Sequence, residues 1–431
     1  MSETLRIGVA GLGTVGAGLL RLLETNGEVM AARTGRRIEV TAVSARDRSR
    51  NRGVNLTGAA WEDDAVALAG RNDVDVIVEM IGGSEGPARD LVEAALDRGK
   101  AVVTANKALL AVHGASLASK SEASGAPLLY EAAVAGGIPV IKAIREGLAG
   151  NALDRVYGIL NGTCNYILTE MRTTGRDFDG VLADAQALGY AEADPTFDVE
   201  GIDAAHKLAL LAALAFGVTP DFDAVAIEGI RNVSAIDIAY ADEFGYRIKL
   251  LGVAERVNGR VSQRVQPCLV RAGTPIAKVD GVFNAVVAEG DQVGRTVFEG
   301  PGAGAGPTAS AVAADLADLA AGRAGHAFGV PASRLQAPEP HDETERRRHY
   351  YIRLNVIDRP GVIADIASVL RDERISIESL LQRARPDEAG TAPVVVLTHE
   401  TSQGQIGAAL AGLEALEAVL ERPHLLTIED F

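Results

Sequence analysis

The chain of 431 residues is long enough for two or three domains that each bury a core without disulfides or metals. Its net charge of −16 argues against a surface that holds nucleic acid, so an anionic cofactor must meet local positive groups. Two cysteines make no disulfide framework, no apolar run reaches membrane-spanning length, and the N-terminus lacks a secretory pattern, so we expect a cytoplasmic protein without membrane contact.

The first 130 residues alternate short β-rich runs with helical segments, which predicts a Rossmann-type, doubly wound parallel sheet within an α/β fold class. The predicted strands are 5–10, 38–43, 74–78 and 101–103.

From about residue 138 the pattern changes to a separate α+β unit. A long helix is predicted first, then a strand at 156–160 and helices at 164–172 and 201–216. Several β-like runs between 248 and 298 predict a second sheet, and Asn258-Gly259 suits the positive φ angles of a type I′ hairpin turn. An Ala-rich helix at 308–321 is expected to pack back on the first domain.

A linker is predicted over residues 326–348, where Pro331, Pro338, Pro340 and a mixed charge run discourage regular packing. Strands at 350–356, 375–381, 393–399 and 425–428 and helices at 361–371 and 406–419 then follow in the order βαββαβ. The chain therefore divides into domains at 1–137 and 138–306, a returning helix at 307–325, the linker, and a last domain at 349–431.

Gly11-Leu12-Gly13-Thr14-Val15-Gly16 follows a predicted strand and opens a predicted helix, the context in which GxGxxG indicates dinucleotide binding. Small residues let the backbone turn tightly and approach a pyrophosphate, which meets free N–H groups and the positive end of the helix dipole. The predicted cofactor contacts are Gly11, Gly13, Thr14, Val15 and Gly16; a Gly-rich turn without a ligand is the alternative.

The end of the second strand decides between nicotinamide cofactors, because an acidic residue there would bond the ribose 2′-hydroxyl and exclude a 2′-phosphate. Here the sequence is Ser44-Ala45-Arg46-Asp47-Arg48, and a guanidinium pairs well with phosphate. NADP is favoured with Arg46 as a contact, whereas Asp47 leaves NAD open. Solvated surface charge is the alternative for these arginines.

Several acidic residues, His206 and Lys207 are concentrated between residues 189 and 207. Asp203 and Lys207 are four apart in a predicted helix and share one face. Reduction of an aldehyde by hydride needs a proton for the developing alkoxide, and a partly desolvated lysine beside a carboxylate can supply it. Lys207 is therefore the candidate acid; an ion pair that only supports the helix is the alternative.

Residues 185–207, which include Gly189, Asp194-Pro195 and Gly201, resemble the signature of homoserine dehydrogenases, and the resemblance extends over nearly the whole chain. It implies reduction of L-aspartate 4-semialdehyde to L-homoserine by NAD(P)H, in threonine, methionine and isoleucine biosynthesis. The site residues that it implies are Lys207 for proton transfer, Glu192 and Asp203 with the support of Asp198 for homoserine, Gly189 for the cofactor, and Lys107 of Thr104-Ala105-Asn106-Lys107 as a second active-site lysine.

Residues 131–139 resemble the family's monovalent-cation loop, and a Gly-rich turn before a helix is the alternative. The implied ligands of a structural Na⁺ are the Glu131 carboxylate and the main-chain carbonyls of Val134, Gly136 and Ile138, since hard cations prefer oxygen. Gly302 and Gly304, in a Gly-rich run ahead of a helix, are predicted as further cofactor contacts because missing side chains allow close approach; a flexible linker is the alternative.

Asp358-Arg359-Pro360-Gly361, between a strand and a helix of the βαββαβ order, resembles the ligand loop of an ACT domain. This resemblance implies threonine as a feedback effector; a dimerisation module without a ligand is the alternative. The family resemblance further implies a monofunctional enzyme, with catalysis and dimerisation in the middle domain, assembled as a homodimer or homotetramer.

Three other functions fit parts of the sequence. Phosphoglycerate dehydrogenase also combines a nicotinamide domain with an ACT tail, but it usually has a mid-chain dinucleotide loop and a catalytic histidine. An amino-acid sensor without activity would not need Lys107, Glu192, Asp203 and Lys207. A thioester-forming aldehyde dehydrogenase would need an activated Cys164, and no basic residue precedes Cys164 in its motif.

Overall fold

The computed structural model describes residues 4–339, 341, 344, 346–382 and 390–431. Its α-helices are α1 Thr14–Thr34, α2 Ala67–Gly70, α3 Pro87–Asp97, α4 Lys107–Ser124, α5 Val140–Lys142, α6 Gly162–Thr174, α7 Phe178–Ala187, α8 Thr196–Val199, α9 Ile202–Phe216, α10 Ala235–Glu243, α11 Ala305–Ala320, α12 Val362–Asp372 and α13 Gln403–Glu414. Its strands are β1 Thr4–Ala10, β2 Arg37–Ser44, β3 Ala60–Glu62, β4 Val76–Glu79, β5 Ala101–Thr104, β6 Leu128–Leu129, β7 Leu153–Ile159, β8 Ala226–Ile227, β9 Tyr246–Val257, β10 Arg260–Arg271, β11 Phe283–Gly290, β12 Gly294–Pro301, β13 Arg347–Ile357, β14 Ile377–Leu381, β15 Thr391–Thr398, β16 Thr401–Ser402 and β17 His424–Glu429. None of the described helices is both long and apolar enough to cross a membrane.

The first sheet has six parallel strands in the order β3-β2-β1-β4-β5-β6, which confirms the predicted doubly wound sheet. Strand β3 was not predicted; its three residues are too few to show a pattern. The strand order reverses between β1 and β4. In such sheets a crevice opens there at the carboxyl ends of the strands, and ligands bind in it.

Helix α11 returns to the first sheet and packs along α1. The two helices come close because α1 carries Gly18, where a Cβ would lie 2.6 Å from the carbonyl oxygen of Ala305. Leu19 of α1 and Val312 and Leu316 of α11 are fully buried in one apolar cluster. The chain therefore enters the middle unit after the first sheet and closes back on it.

The middle unit is built on β7, β9, β10, β11 and β12, which pair antiparallel in the order β12-β11-β7-β9-β10. The hairpin between β9 and β10 turns at Asn258 and Gly259, with φ of 52° and 82°, as predicted. The prediction of a long helix from residue 138 is wrong. Only α5 forms, followed by a π-helical turn at Ala143–Gly147, because glycines at 147 and 150 disfavour further helix.

The last part folds in the order βαββαβ, and its strands pair as β17-β13-β15-β14. Strand β17 also pairs in parallel with β10, Thr427 opposite Cys268, so that, within the described residues, one sheet of eleven strands runs through the middle and last parts. At the C-terminus, the ring of Phe431 stacks on Tyr157 of β7 with centroids 3.8 Å apart. The last domain is thus joined to the middle unit by main-chain pairing as well as by side chains.

Two predictions at the edges of this last part need correction. Strand β13 starts at Arg347, inside the predicted linker, because residues 347 and 348 pair with β16. Helix α13 ends at Glu414 rather than 419, and the chain turns there before β17. Elsewhere in the linker, Phe328 is buried against Tyr130, whereas Pro340 lies outside the described residues.

Candidate active site

A cleft of about 300 Å³ separates the first sheet from the middle unit. It is formed by the start of α1, the segments that follow β4 and β5, the start of α9 and the segment before α11. Its lining residues are Val15, Met80, Ile81, Gly82, Ala105, Asn106, Lys107, Ala132, Ala133, Ala135, Gly136, Lys207, Gly302, Ala303, Gly304 and Thr308. The crevice at the end of the parallel sheet and the two candidate lysines, Lys107 and Lys207, therefore lie at the same cleft.

Lys207 lies one helical turn after Asp203 at the start of α9. Its Nζ donates to Asp203 Oδ2 at 2.7 Å and to the carbonyl oxygen of Leu160, just after β7, at 2.7 Å. Lys207 is 8% exposed and lines the cleft. An ammonium group has three N–H donors, so one remains for a ligand.

Lys107, at the first position of α4, reaches the same carboxylate from the first domain. Its Nζ lies 2.9 Å from Asp203 Oδ1, so the two oxygens of Asp203 each face a lysine. Burial alone would raise the pKa of Asp203, but the charges of Lys207 and Lys107 hold that pKa well below its usual range. Asp203 is therefore ionised and joins the two domains at the cleft.

Asn161, between β7 and α6, adjoins this cluster and was given no role from the sequence. Its Nδ2 donates to Asp203 Oδ2 and to Asp198 Oδ1, both at 2.8 Å. Burial raises the pKa of Asp198, while the hydrogen bond from Asn161 opposes this rise. The structure thus brings Lys107, Asp198, Asp203 and Lys207 together around one asparagine, which only the fold places there.

Glu79, at the end of β4, is a second residue that the sequence reasoning missed. It is fully buried and accepts N–H bonds from Ile81 at 2.7 Å and Gly82 at 3.0 Å. The hydroxyl of Thr104, at the end of β5, donates to its other oxygen at 2.5 Å. A single carboxylate at the end of an otherwise apolar strand was the available signal in the sequence. Glu79 therefore fixes the segment after β4 and the end of β5, both at the cleft, relative to each other.

The glycines of the dinucleotide loop have different local reasons. A Cβ at Gly16 would lie 2.1 Å from the carbonyl oxygen of Gly11, and Gly11 has φ of 96° with its Cβ position 2.4 Å from the carbonyl oxygen of Met80. These two are needed for the turn itself. A Cβ at Gly13 would meet nothing within 4 Å. Gly13 precedes α1, so open space lies at the helix N-terminus, where the dipole favours an anion.

Arg46 is exposed two residues beyond the end of β2. Nearby Arg52 donates through Nε to the carbonyl oxygen of Leu12 at 3.1 Å and through Nη2 to that of Asp47. Arg52 therefore ties the arginine-rich segment to the dinucleotide loop. This contact was not predicted, since the two segments are forty residues apart.

The loop around Glu131 carries oxygen atoms that could hold a monovalent cation. Glu131 is buried, and its carboxylate oxygens accept the N–H groups of Ile141 at 2.9 Å and Lys142 at 2.8 Å. Among the described residues, no main-chain amide donates to the carbonyl oxygens of Val134 or Gly136, whereas that of Ile138 accepts from Val140. Two carbonyl oxygens without a main-chain donor, in the same loop as a buried carboxylate, suit a cation that prefers oxygen.

Burial, together with the neighbouring charge of Asp315, raises the pKa of Glu131 to about 7. Burial also raises the pKa of Asp315 to about 6. The protein alone therefore places too little positive charge around Glu131 and Asp315 to keep their pKa values in the usual range. An added cation would favour their ionised forms.

The remaining predicted residues are placed differently. Gly302 and Gly304 line the cleft, but a Cβ at Gly302 would lie 2.1 Å from Asn284, so protein packing also requires that glycine. Gly189 is exposed and ends α7 with φ of 77°. The Glu192 side chain is exposed, and the hydrogen bond from Gln186 goes to its main-chain oxygen. Neither Gly189 nor Glu192 is among the cleft-lining residues.

Cys164 is fully buried, and burial raises the pKa of its thiol well above the usual value. A thiol in this environment is not an activated nucleophile. In the last domain, the Asp358 to Gly361 turn is exposed, and Gly361 has φ of 100° ahead of α12. The turn is accessible to a ligand or to a second chain.

Comparison with known families gives three matches along the chain. Residues 11–131 match the sequence profile described as homoserine dehydrogenase, NAD binding domain, residues 139–317 that described as homoserine dehydrogenase, and residues 350–418 the ACT domain. The three matches follow the order of the first sheet, the middle unit and the βαββαβ part.

The chain is similar over its whole length to proteins named homoserine dehydrogenase. One from Pseudomonas aeruginosa is 47% identical, with 97% of each chain covered, and one from Neisseria gonorrhoeae is 46% identical, with 98% of this chain and 97% of the relative covered. The crystal structure of a homoserine dehydrogenase from Thiobacillus denitrificans has a TM-score of 0.93 at 44% identity, covering 99% and 98%. A hyperthermophilic archaeal homoserine dehydrogenase in complex with NADPH has a TM-score of 0.62 at 25% identity, covering 73% of this chain and 97% of that one.

These likenesses agree with the lysine–carboxylate cluster at the mouth of a nucleotide-binding crevice. The activity is that of an NAD(P)-dependent oxidoreductase acting on a CH–OH group. The chain belongs to the homoserine dehydrogenase family.

Proposed function

We propose that Lys207 gives its proton to the carbonyl oxygen of L-aspartate 4-semialdehyde during reduction and takes it back during oxidation of L-homoserine. The observation that carries this role is the buried ammonium group in the cleft, held by Asp203 and the Leu160 carbonyl with one N–H unused. A nicotinamide, when bound, would supply hydride to the carbonyl carbon of the aldehyde or accept it from the corresponding carbon of the alcohol. Because the two protein acceptors fix Nζ, the remaining N–H has one direction, which lowers the cost of orienting the proton donor.

Lys107 has a separate role in this proposal. Its side chain is 32% exposed, whereas that of Lys207 is 10% exposed. Its ammonium group approaches Asp203 Oδ1 from the nucleotide domain. It suits the binding of a substrate carboxylate or of the reacting oxygen. Glu192 and Asp203, with the support of Asp198, would take the substrate ammonium group. Glu192 is exposed, so this role requires the loop that carries it to lie against the substrate.

We expect NADP(H) to be preferred over NAD(H). Gly13 and the start of α1 would hold the pyrophosphate. Arg46 would pair with the 2′-phosphate. Arg52 ties Asp47, the residue after Arg46, to Leu12 of the dinucleotide loop. Gly302 and Gly304 would approach the cofactor from the other wall. The NADPH bound to the archaeal relative supports this preference.

A structural Na⁺ is proposed in the loop of Glu131, with the carbonyl oxygens of Val134, Gly136 and Ile138 as further ligands. The carbonyl oxygens of Val134 and Gly136, which accept no main-chain N–H from the part of the chain that the structure describes, and the raised pKa of Glu131 support it. This ion would connect the loop to the start of α5 and would take no part in the reaction.

The ACT domain is proposed to bind threonine and inhibit the enzyme. Main-chain pairing of β17 with β10 supports this, because it offers a direct route from that domain to the middle unit. Inhibition requires two states of the enzyme that differ in affinity for threonine. We further expect a homodimer or homotetramer in the cytoplasm, where two buried, unpaired cysteines remain reduced.

A steady-state assay tests these proposals together. Oxidation of L-homoserine would be followed by nicotinamide absorbance with NADP⁺ and with NAD⁺, each with and without threonine. We expect turnover with both cofactors, a lower KM for NADP⁺, and inhibition by threonine but not by its D-enantiomer. If neither NADP⁺ nor NAD⁺ supports turnover, the proposed roles of Lys107 and Lys207 are contradicted.

A further inference from the structure

Asn161 is fixed by partners from three helices. Its Nδ2 donates to Asp203 of α9 and to Asp198 of α8, and its Oδ1 accepts the main-chain N–H of Cys164 in α6 at 2.8 Å. The residue is 4% exposed. The two carboxylates can only accept and the Cys164 N–H can only donate, so the amide has one orientation.

The amide is suited to this position by its chemistry. A neutral carboxamide accepts at one end and donates twice at the other, so it can cap α6 and serve two anions without adding charge. Serine caps a helix equally well but offers one short donor. Aspartate has the same shape and caps well, but it offers no donor and adds a third negative charge.

The charges of Asp198 and Asp203 both interact with that of Lys207. Asp198 and Asp203 each lie 2.8 Å from one nitrogen, so they are close neighbours, and Lys207 lies on Asp203 Oδ2, the oxygen that also accepts from Asn161. Without the amide, each carboxylate would lose a donor, and the flexible lysine side chain would be drawn toward Asp198 as well.

We propose that Asn161 is a positioning residue for the reaction: it keeps Asp198 occupied and the Asp203 carboxylate turned toward the two lysines, so that Lys207 stays aimed into the cleft. The inference rests on the proposed role of Lys207. It concerns a residue that does not line the cleft and acts through Asp203.

The arrangement also predicts a change in pH dependence. Asp198 faces the charges of Asp203, Lys207 and Lys107, and the Cys164 thiol lies 3.2 Å from its main-chain oxygen. Burial already raises the pKa of Asp198, and loss of the Asn161 hydrogen bond would raise it further. Protonation of Asp198 would remove a negative charge that acts on Lys207 and Lys107. The acid limb of kcat/KM should therefore move to higher pH.

The test compares Asn161→Ser and Asn161→Asp with the wild type. Both variants keep the helix cap, and both remove the double donor. We expect kcat to fall about 10-fold to 100-fold in Asn161→Ser and further in Asn161→Asp, with the acid limb moved upward in both. Binding of NADPH, followed by its fluorescence, should stay within twofold of the wild type.

Asn165→Ser is the matched control, one turn later on the same helix. Asn165 is also buried and bonds the carbonyl oxygens of Val279 and Phe283, away from the carboxylates. This variant should lower the melting temperature without moving the acid limb. If both Asn161 variants fold and keep wild-type kcat and pH profile, Asn161 only caps α6 and the inference is wrong. If Lys207→Ala is active as well, the proposed role of Lys207 fails first.

Discussion

Asp203 and Lys207 stand one turn apart at the start of α9, and their charged groups meet at 2.7 Å where their side chains are 6% and 10% exposed. A buried ion pair is costly to form and serves stability poorly unless its partners are fully bonded. Here both oxygens of Asp203 and two of the three donors of Lys207 are used within the protein. The unused donor faces the cleft, which is the arrangement expected of a proton donor.

Replacing Lys207 by alanine should abolish turnover while leaving the nucleotide fold intact. We expect kcat to fall by about 10²-fold to 10⁴-fold, the usual contribution of a positioned acid, and NADPH binding to persist. Steady-state rates and NADPH fluorescence would check this. Lys278→Ala, an exposed lysine in the middle unit, is the control and should behave as the wild type. Near-normal turnover of Lys207→Ala would remove this lysine from the mechanism.

Replacing Arg46 by alanine should weaken NADPH much more than NADH, because only NADPH carries the 2′-phosphate. Loss of one charge-assisted contact predicts a rise in KM for NADPH of about 10-fold. The comparison variant is Arg37→Ala, at the opposite end of β2, which pairs with Glu28 at 3.2 Å. Equal effects of Arg46→Ala on both cofactors would assign this arginine to the solvated surface.

Sodium should stabilise the protein more at pH 8 than at pH 5. The pKa of Glu131 is raised from 4.5 to about 7, so its contribution to stability is complete below about pH 4.5 and is lost as pH rises through about 7. A cation restores what the ionised carboxylate loses. Melting temperatures in sodium chloride and in choline chloride should differ by about 3 °C at pH 8 and little at pH 5.

Glu131→Gln is the variant for this prediction, since it removes the charge that the cation would meet. The sodium dependence should disappear in it and persist in Glu24→Gln, an exposed substitution on α1. A wild-type protein that melts equally in sodium and choline at pH 8 would leave the loop as a simple turn.

Asp237→Asn should loosen the last domain from the middle unit. Asp237 in α10 is fully buried and accepts from Arg353 Nε at 2.7 Å and Tyr351 OH at 3.0 Å, both in β13. Removing one partner of a buried pair predicts a loss of about 3 kcal/mol. Denaturant unfolding at pH 7 measures this loss, and Asp223→Asn, an exposed change, should be neutral.

The pH dependence of that loss has a definite sign. Burial would raise the pKa of Asp237, but His424 and Arg353 hold it well below the usual 3.8. Its contribution is therefore present above about pH 4 and is lost as pH falls below that value. The difference between wild type and Asp237→Asn should narrow as pH falls from about 5 into acid; a difference that widens in acid would contradict the assignment.

Much of the fold follows from local patterns. The carboxyl-terminal halves of β1 and β2 and nearly all of β4 and β5 are buried on both faces, as expected of strands covered on both sides. The turn at Asn258-Gly259 needs positive φ at both residues, which few other pairs accept. The helix predicted from residue 138 failed because its apolar spacing continued where glycines weaken a helix.

The candidate site contains residues that could be paired from the sequence and residues that only the fold brings together. Lys207 and Asp203 could be paired from their spacing on one helix, whereas Lys107, ninety-six residues before Asp203, was assigned only through the family resemblance. Asn161, Glu79 and Arg52 were given no role, because each acts on partners from distant segments. No local pattern records that an amide meets two carboxylates.

Sequence by itself determined the nucleotide-binding loop, the order of the three parts and the lysine–aspartate pair on α9, because each depends on residues within a few positions of one another. Only the tertiary structure decided that β17 continues the sheet of the middle unit and that Asn161 joins Asp198 to Asp203. Those relationships depend on how separate elements pack, and packing brings together groups whose separation along the chain carries no signal.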